Sequence, residues 1–140
     1  IAEEIRNLKR ISSRQNETLL ELAVAHWIRN GNLERHLRKM RREYLARRDA
    51  MEESLNIWKQ KQPRITWRSP EGGMALWLNV DQDSSRLARR AARLGIQVFP
   101  EERYRLDTKT GTHLRLGFSG QTPAENRAGI LELSRLSIRT

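Results

Sequence analysis

The chain patterns as an α/β fold, a two-layer sandwich in which a small mixed or antiparallel sheet carries helices on one face and is preceded by a long helix. Three observations carry this expectation. Helical spacing of apolar residues persists as far as Trp58 and ends before Pro63, after which short apolar runs separated by turn residues take over. The stretch His113-Leu114-Arg115-Leu116-Gly117-Phe118 alternates, with Leu114, Leu116 and Phe118 on one side and His113, Arg115 and Gly117 on the other. Thr122-Pro123-Ala124-Glu125 then opens another helix: its hydroxyl and carboxylate can satisfy free backbone amides reciprocally, and proline suits the first helical position.

Taken in order, Ile1, Ile5 and Leu8 lie at helical spacing, and the polar patch Ser12-Ser13-Arg14-Gln15-Asn16 interrupts them. From Glu17 to Arg29 the apolar residues Leu19, Leu20, Ala23, Val24, Trp27 and Ile28 predict a buried helix, stopped by Asn30-Gly31. Asn32 is placed to cap a long helix reaching about Lys59. Its stripe of Leu33, Leu37, Met40, Tyr44, Met51, Leu55 and Trp58 should face a core. Arg35, Arg38, Lys39, Arg41, Arg42, Arg47 and Arg48 share that helix with Glu34, Glu43, Asp49, Glu52 and Glu53, the composition of a solvated, salt-bridged face. A coiled-coil seam is a poorer description, because the stripe breaks at Arg47 and Arg48.

Ile65 to Arg68 and Met74 to Asn79 flank Ser69-Pro70-Glu71-Gly72-Gly73, a hairpin loop. The second run is nearly all apolar, which predicts a strand covered on both faces. The glycine pair lacks the Gly-Lys-Ser/Thr ending of a phosphate loop. Asp83-Ser84-Ser85 starts a helix with Leu87, Ala88, Ala91 and Leu94 inward and Arg86, Arg89, Arg90 and Arg93 outward, ended by Gly95. Ile96 to Phe99 reads as a short strand ended by Pro100, and Glu101 to Gly111 as a polar loop. The last helix should bury Ile130, Leu131, Leu133 and Ile138.

At 140 residues this is one domain or part of a larger protein, and four tryptophans among 37% hydrophobic residues support a packed core. There are no cysteines, so thiolate metal sites and disulfides are excluded and a reducing, cytoplasmic setting is expected. His26 has no metal-type neighbour at a matching offset, and no metal site is predicted. No apolar run approaches the roughly 20 residues of a membrane helix. The net charge of +10 suits a polyanion, yet no aromatics interleave the arginines as a free-standing nucleic-acid binder would require. Arg115 is the candidate binding residue: a guanidinium on a rigid strand, facing away from the core, suits two parallel hydrogen bonds to a carboxylate or phosphate. An ordinary outward-facing strand arginine is the alternative.

Leu33 to Arg42, Arg47-Arg48-Asp49-Ala50, Pro70-Glu71-Gly72-Gly73-Met74-Ala75-Leu76-Trp77-Leu78, Gly95 to Pro100 and Leu114 to Ser119 together resemble the small C-terminal domain of fold-type I aminotransferases. More narrowly, they resemble the aminotransferase-like module of MocR-type regulators in the GntR family. The resemblance covers nearly the whole chain in order. It implies residues 1–31 as a linker and helix from the large-domain boundary and residues 32–140 as the small domain. It also implies pyridoxal phosphate in the full-length parent, held as a Schiff base by a lysine of a large domain upstream of Ile1; none is expected bound to this chain. On this resemblance none of Lys9, Lys39, Lys59, Lys61 and Lys109 takes the role of that lysine.

On the same resemblance Arg115 receives the carboxylate of an amino-acid-like ligand, with Pro100 and Tyr104 as candidates for the loop beside it. The implied parent is a homodimeric regulator that binds DNA through a winged helix, or alternatively a working aminotransferase. Glu101 and Glu102 depart from the family's usual glycine and small residue after Val98-Phe99-Pro100. That departure puts an acidic substrate, and full transaminase activity, in doubt.

Overall fold

A computed structural model of the chain describes residues 1–12, 17–107 and 109–138. They belong to two compact units, Ile1–Arg41 and Arg42–Thr140. The first holds α1 (Ala2–Ser12), α2 (Thr18–Arg29) and the start of α3 (Asn32–Lys61). Apart from Ser12, the predicted polar break lies outside the described residues. α2 stops at the expected Asn30-Gly31, where the two amides bond back to His26 and Ile28 and Gly31 takes φ +71°. The burial expected of α2 does not occur. Leu19, Leu20, Val24 and Ile28 are exposed, and Trp27, 38% exposed, leans on the His36 ring at 5.8 Å. Three helical segments with no sheet to lie on cannot enclose an apolar stripe, and no described residue of this unit is buried. Asn32 differs too: its Oδ1 accepts from the Arg35 guanidinium.

In the second unit α3 behaves as its later stripe requires. Ala50, Met51, Leu55 and Trp58 are buried and Tyr44 packs against the core, whereas Leu33, Leu37 and Met40 lie in the first unit and reach no core. The buried Trp58 indole donates to Gln62 Oε1 at 3.0 Å, so its polar edge is satisfied. The sheet is antiparallel throughout, in the order β1 (Thr66–Trp67), β2 (Ala75–Asn79), β4 (His113–Gly117), β3 (Phe99–Pro100). Leu76, Leu78, Leu114 and Leu116 line one face and are buried with Ile65, Val80, Leu87, Ile130 and Leu133. Burying such side chains contributes about 1.5–3 kcal/mol each. Helices cover that face, as expected.

α4 (Ser84–Ala92) is capped by Asp83, whose carboxylate accepts from the amides of Ser85 and Arg86. It ends in a C-terminal motif in which Ile96 N–H reaches Ala91 C=O and Gly95 N–H reaches Ala92 C=O, with Gly95 at φ +76°. Leu94, expected inward, sits in that turn past the helix end and is 57% exposed. α5 (Pro123–Ile138) opens on the predicted box: Thr122 N–H donates to Glu125 Oε2 at 2.7 Å, and Glu125 N–H to Thr122 Oγ1 at 3.2 Å. Those bonds, the backbone amide foremost, hold the Glu125 carboxyl below its usual range. Ile130 and Leu133 are buried and Leu131 is half-buried; the Ile138 side chain lies outside what is described.

Three further expectations are corrected. β2 is covered on one face only, because Trp77, 41% exposed, lies on the uncovered side of the sheet that it shares with Arg115. β3 is confined to Phe99–Pro100, so Ile96 to Val98 run outside the ladder. As an edge strand it tolerates the proline that an inner strand would not. Arg47 and Arg48, expected on the solvated face, are half-buried and donate to the carbonyls of Ser119 and Pro70, drawing two loops onto α3. The rest of the solvated reading holds in part, with Glu34–Arg38 and Glu53–Arg127 as exposed ion pairs.

Candidate functional site

β4 separates its side chains as its alternation requires. Leu114 and Leu116 enter the core, and His113, Arg115 and Gly117 occupy the opposite face. Register places Arg115 directly between Trp77 on β2 and Phe99 on β3, so a guanidinium stands between two aromatic residues on one uncovered face. It is also free. Among the described residues five arginines are half-buried: Arg47, Arg48, Arg90, Arg105 and Arg115. The first two bond to loop carbonyls, Arg105 pairs with Glu101 and Asp107, and Arg90 has a partner as well. Among the described residues the guanidinium of Arg115 alone of the five has no hydrogen bond, ion pair or ring contact. Half-burying an arginine without a partner is unfavourable unless an anion completes it.

A cleft of about 500 Å³ opens beside it. Gly95 to Phe99 and the first turns of α5, with Gln121, Glu125, Asn126 and Gly129, form its walls; Met51, Leu116, Ile130 and Leu133 supply apolar lining. Asn126 is buried and donates to Phe118 C=O at 3.1 Å, tying the start of α5 to the exit of β4.

Of the two loop candidates, the structure brings one to this face. Tyr104 ends the 3-10 helix Glu101–Tyr104 and meets Trp77 edge-on at 5.6 Å. Pro100 pairs with Leu114 and therefore has the register of the covered face. Trp77, Phe99 and His113 are the members that sequence reasoning did not promote. Trp77 and His113 stack at 5.7 Å with planes 14° apart. The period-2 placement of Trp77 between Ala75 and Asn79 was the available signal, hidden by the apolar look of the whole run.

Glu101 organises this corner. Its Oε2 accepts from Thr112 N–H at 2.9 Å, from His113 N–H at 3.1 Å and lies 2.9 Å from His113 Nδ1, while Oε1 accepts from Arg105 at 2.9 Å. The side-chain bond to His113, with those from Arg105 and the two amides, lowers its pKa from 4.5 to about 2. Arg105 also holds the exposed Asp107 carboxyl below its ordinary value. Glu102 is exposed.

The family model for class I and II aminotransferases matches residues 1–132. The chain belongs to that family. An aromatic-amino-acid aminotransferase of Thermococcus litoralis is 26% identical over 119 residues, 84% of this chain and 28% of that protein. An uncharacterized HTH-type transcriptional regulator of Bacillus subtilis, YdfD, is 23% identical over 135 residues, 95% of this chain and 27% of the regulator. Among solved structures, a kynurenine aminotransferase of Pyrococcus horikoshii superposes with a TM-score of 0.85 at 25% identity, over 97% of this chain and 34% of that one. The chain thus spans little more than a quarter of the length of the curated relatives it matches.

Family membership implies pyridoxal phosphate in a full-length protein. The residues present here do not make its site: Lys9, Lys39, Lys59, Lys61 and Lys109 are all exposed and none lines the Arg115 cleft, so no amine is placed to engage the aldehyde. No group of three or more histidine or acidic side chains among the described residues could hold a metal ion. No helix among them is long and apolar enough to cross a membrane.

Proposed function

We propose that this chain is the C-terminal part of a pyridoxal-phosphate-dependent, aminotransferase-like domain that senses an effector in a MocR/GntR-type transcription regulator, and that Arg115 receives the α-carboxylate of an amino-acid-like ligand. The observation that carries the reading is the unpaired, half-buried Arg115 guanidinium beside a cleft, where every other half-buried arginine among the described residues has its partner. A carboxylate supplies two acceptors in the plane that a guanidinium offers. The likeness to YdfD along 95% of this chain supports the regulator. In it, the cofactor, the lysine that holds it and a winged helix lie outside these 140 residues, and the parent is a cytoplasmic homodimer that binds DNA. The cofactor, when bound, supplies an aldehyde for the ligand's amino group; this chain orients the opposite end of the ligand.

A second reading, the small domain of a working aminotransferase, is favoured by the likeness to the aromatic-amino-acid aminotransferase of T. litoralis. Both readings give Arg115 the same task. Roughly 70 residues of winged helix upstream of the large domain would separate the regulator from the enzyme. The common core is tested by calorimetric titration of the full-length protein with L-alanine. Arg115→Ala is expected to weaken binding about 100-fold, the loss of a charge-assisted pair of bonds, while the absorbance of the bound cofactor stays unchanged. An unaltered Kd removes Arg115 from the site.

A further inference from the structure

The face around Arg115 carries more aromatic surface than holding a carboxylate requires. Trp77 stands directly across from Arg115, and side chains opposite each other in an antiparallel pair start about 5 Å apart and project the same way. The indole and the guanidinium therefore leave the sheet side by side. Trp77 is 41% exposed and Tyr104 53%, large for rings that are held in place. Trp77 is held from two directions, by the parallel His113 ring and the perpendicular Tyr104 ring, and His113 is itself fixed by Glu101. Two separate segments, β4 and the 3-10 helix, converge to orient one indole and leave part of it uncovered.

We propose that Trp77, steadied by Tyr104 and His113, is the surface against which the side chain of the bound amino acid lies, and that the ligand is an amino acid with a flat aromatic side chain. This rests on the carboxylate reading of Arg115. With the carboxylate on the guanidinium, the side chain of an α-amino acid has the neighbouring indole within reach, and a ring gains offset or edge-on contact there that an aliphatic chain does not. Among the described residues of this corner, Arg105 is already paired with Glu101 and Asp107, and Arg103 lies over the Phe99 ring at 4.9 Å, so neither stands ready for a second carboxylate.

The test is calorimetric titration of the full-length, cofactor-loaded protein with L-phenylalanine, L-alanine and L-glutamate. The wild type should bind L-phenylalanine about tenfold more tightly than L-alanine, the scale of a ring contact added to apolar burial, and L-glutamate more weakly than L-phenylalanine. Trp77→Leu should bring the phenylalanine-to-alanine ratio to within about threefold of unity, and Trp77→Phe should keep most of the preference. Arg115→Ala should weaken both ligands alike, which tests the underlying reading independently. A ratio unchanged in Trp77→Leu, with Arg115→Ala still weakening both, overturns the aromatic assignment and means that Trp77 is covered by another part of the protein. If Arg115→Ala alters neither ligand, the carboxylate reading fails whatever Trp77 does. Should Trp77→Leu not fold, Tyr104→Ala takes its place, and a preference that survives removal of this ring overturns the assignment.

Discussion

Glu101→Gln is the sharpest probe of how this corner is held. The carboxylate takes two backbone amides, an imidazole and a guanidinium, and its pKa falls from 4.5 to about 2. At about 1.36 kcal/mol per unit, that shift sets a ceiling near 3 kcal/mol at neutral pH. Glu101 is 16% exposed and Arg105 33%, and solvent screening brings the expected loss to about 2 kcal/mol. Glutamine keeps one oxygen acceptor and no charge, so most of this should disappear. For a chain of this size the loss corresponds to about 7 °C in Tm. The folded-state pKa lies below the unfolded one, so the contribution is complete above about pH 5 and is lost as pH falls toward 2. Thermal unfolding of wild type and variant at pH 7 and pH 3 should show a gap that shrinks to under about half at the lower pH. An equal gap at both values would falsify the account, since uncharged packing would then be holding the corner.

Two other substitutions follow from the same contacts. A Cβ at Gly111 would sit 2.5 Å from Glu101 Cβ, so Gly111→Ala must push the glutamate off its amides; we expect a loss of about 1–3 kcal/mol by chemical denaturation, and no loss would mean that Glu101 moves freely. Arg47→Leu removes the half-buried bond to Ser119 C=O but also an Nε buried without a partner. The two effects oppose, leaving about 1–2 kcal/mol of destabilisation, and an unchanged Tm would show that the Ser119 carbonyl does not need the bond.

How much of this was legible depends on the range of the interactions. Alternation placed Arg115 opposite Leu114 and Leu116 correctly, because a strand's period is fixed by its backbone and needs no neighbours. The Thr122 to Glu125 box and the Gly95 stop were equally local. Failures came where the outcome depended on a distant partner. The stripe of α2 predicts burial only if enough lies against it, and no described residue of its unit is buried. Arg47 and Arg48 carry no mark in the sequence that their acceptors are carbonyls 72 and 22 residues away. Trp77 was lost in an apolar run whose two faces differ only once the sheet has formed.

The two acidic residues after Pro100 show how a departure from a family pattern can be structural before it is functional. β3 ends at Pro100, opposite Leu114, so the neighbouring amides of Thr112 and His113 have no further edge strand to bond. His113 is half-buried, and an unsatisfied amide there carries a cost of about 1–3 kcal/mol, whereas the Thr112 amide is exposed. Glu101, folded back by the 3-10 helix that follows β3, accepts from both and thereby stands in for the missing strand. Its remaining capacity goes to the His113 imidazole, which lies parallel to the Trp77 indole. A carboxylate that completes a sheet edge thus also fixes the ring beside Arg115, and disturbing the edge should loosen the preference for a flat ligand without touching the guanidinium.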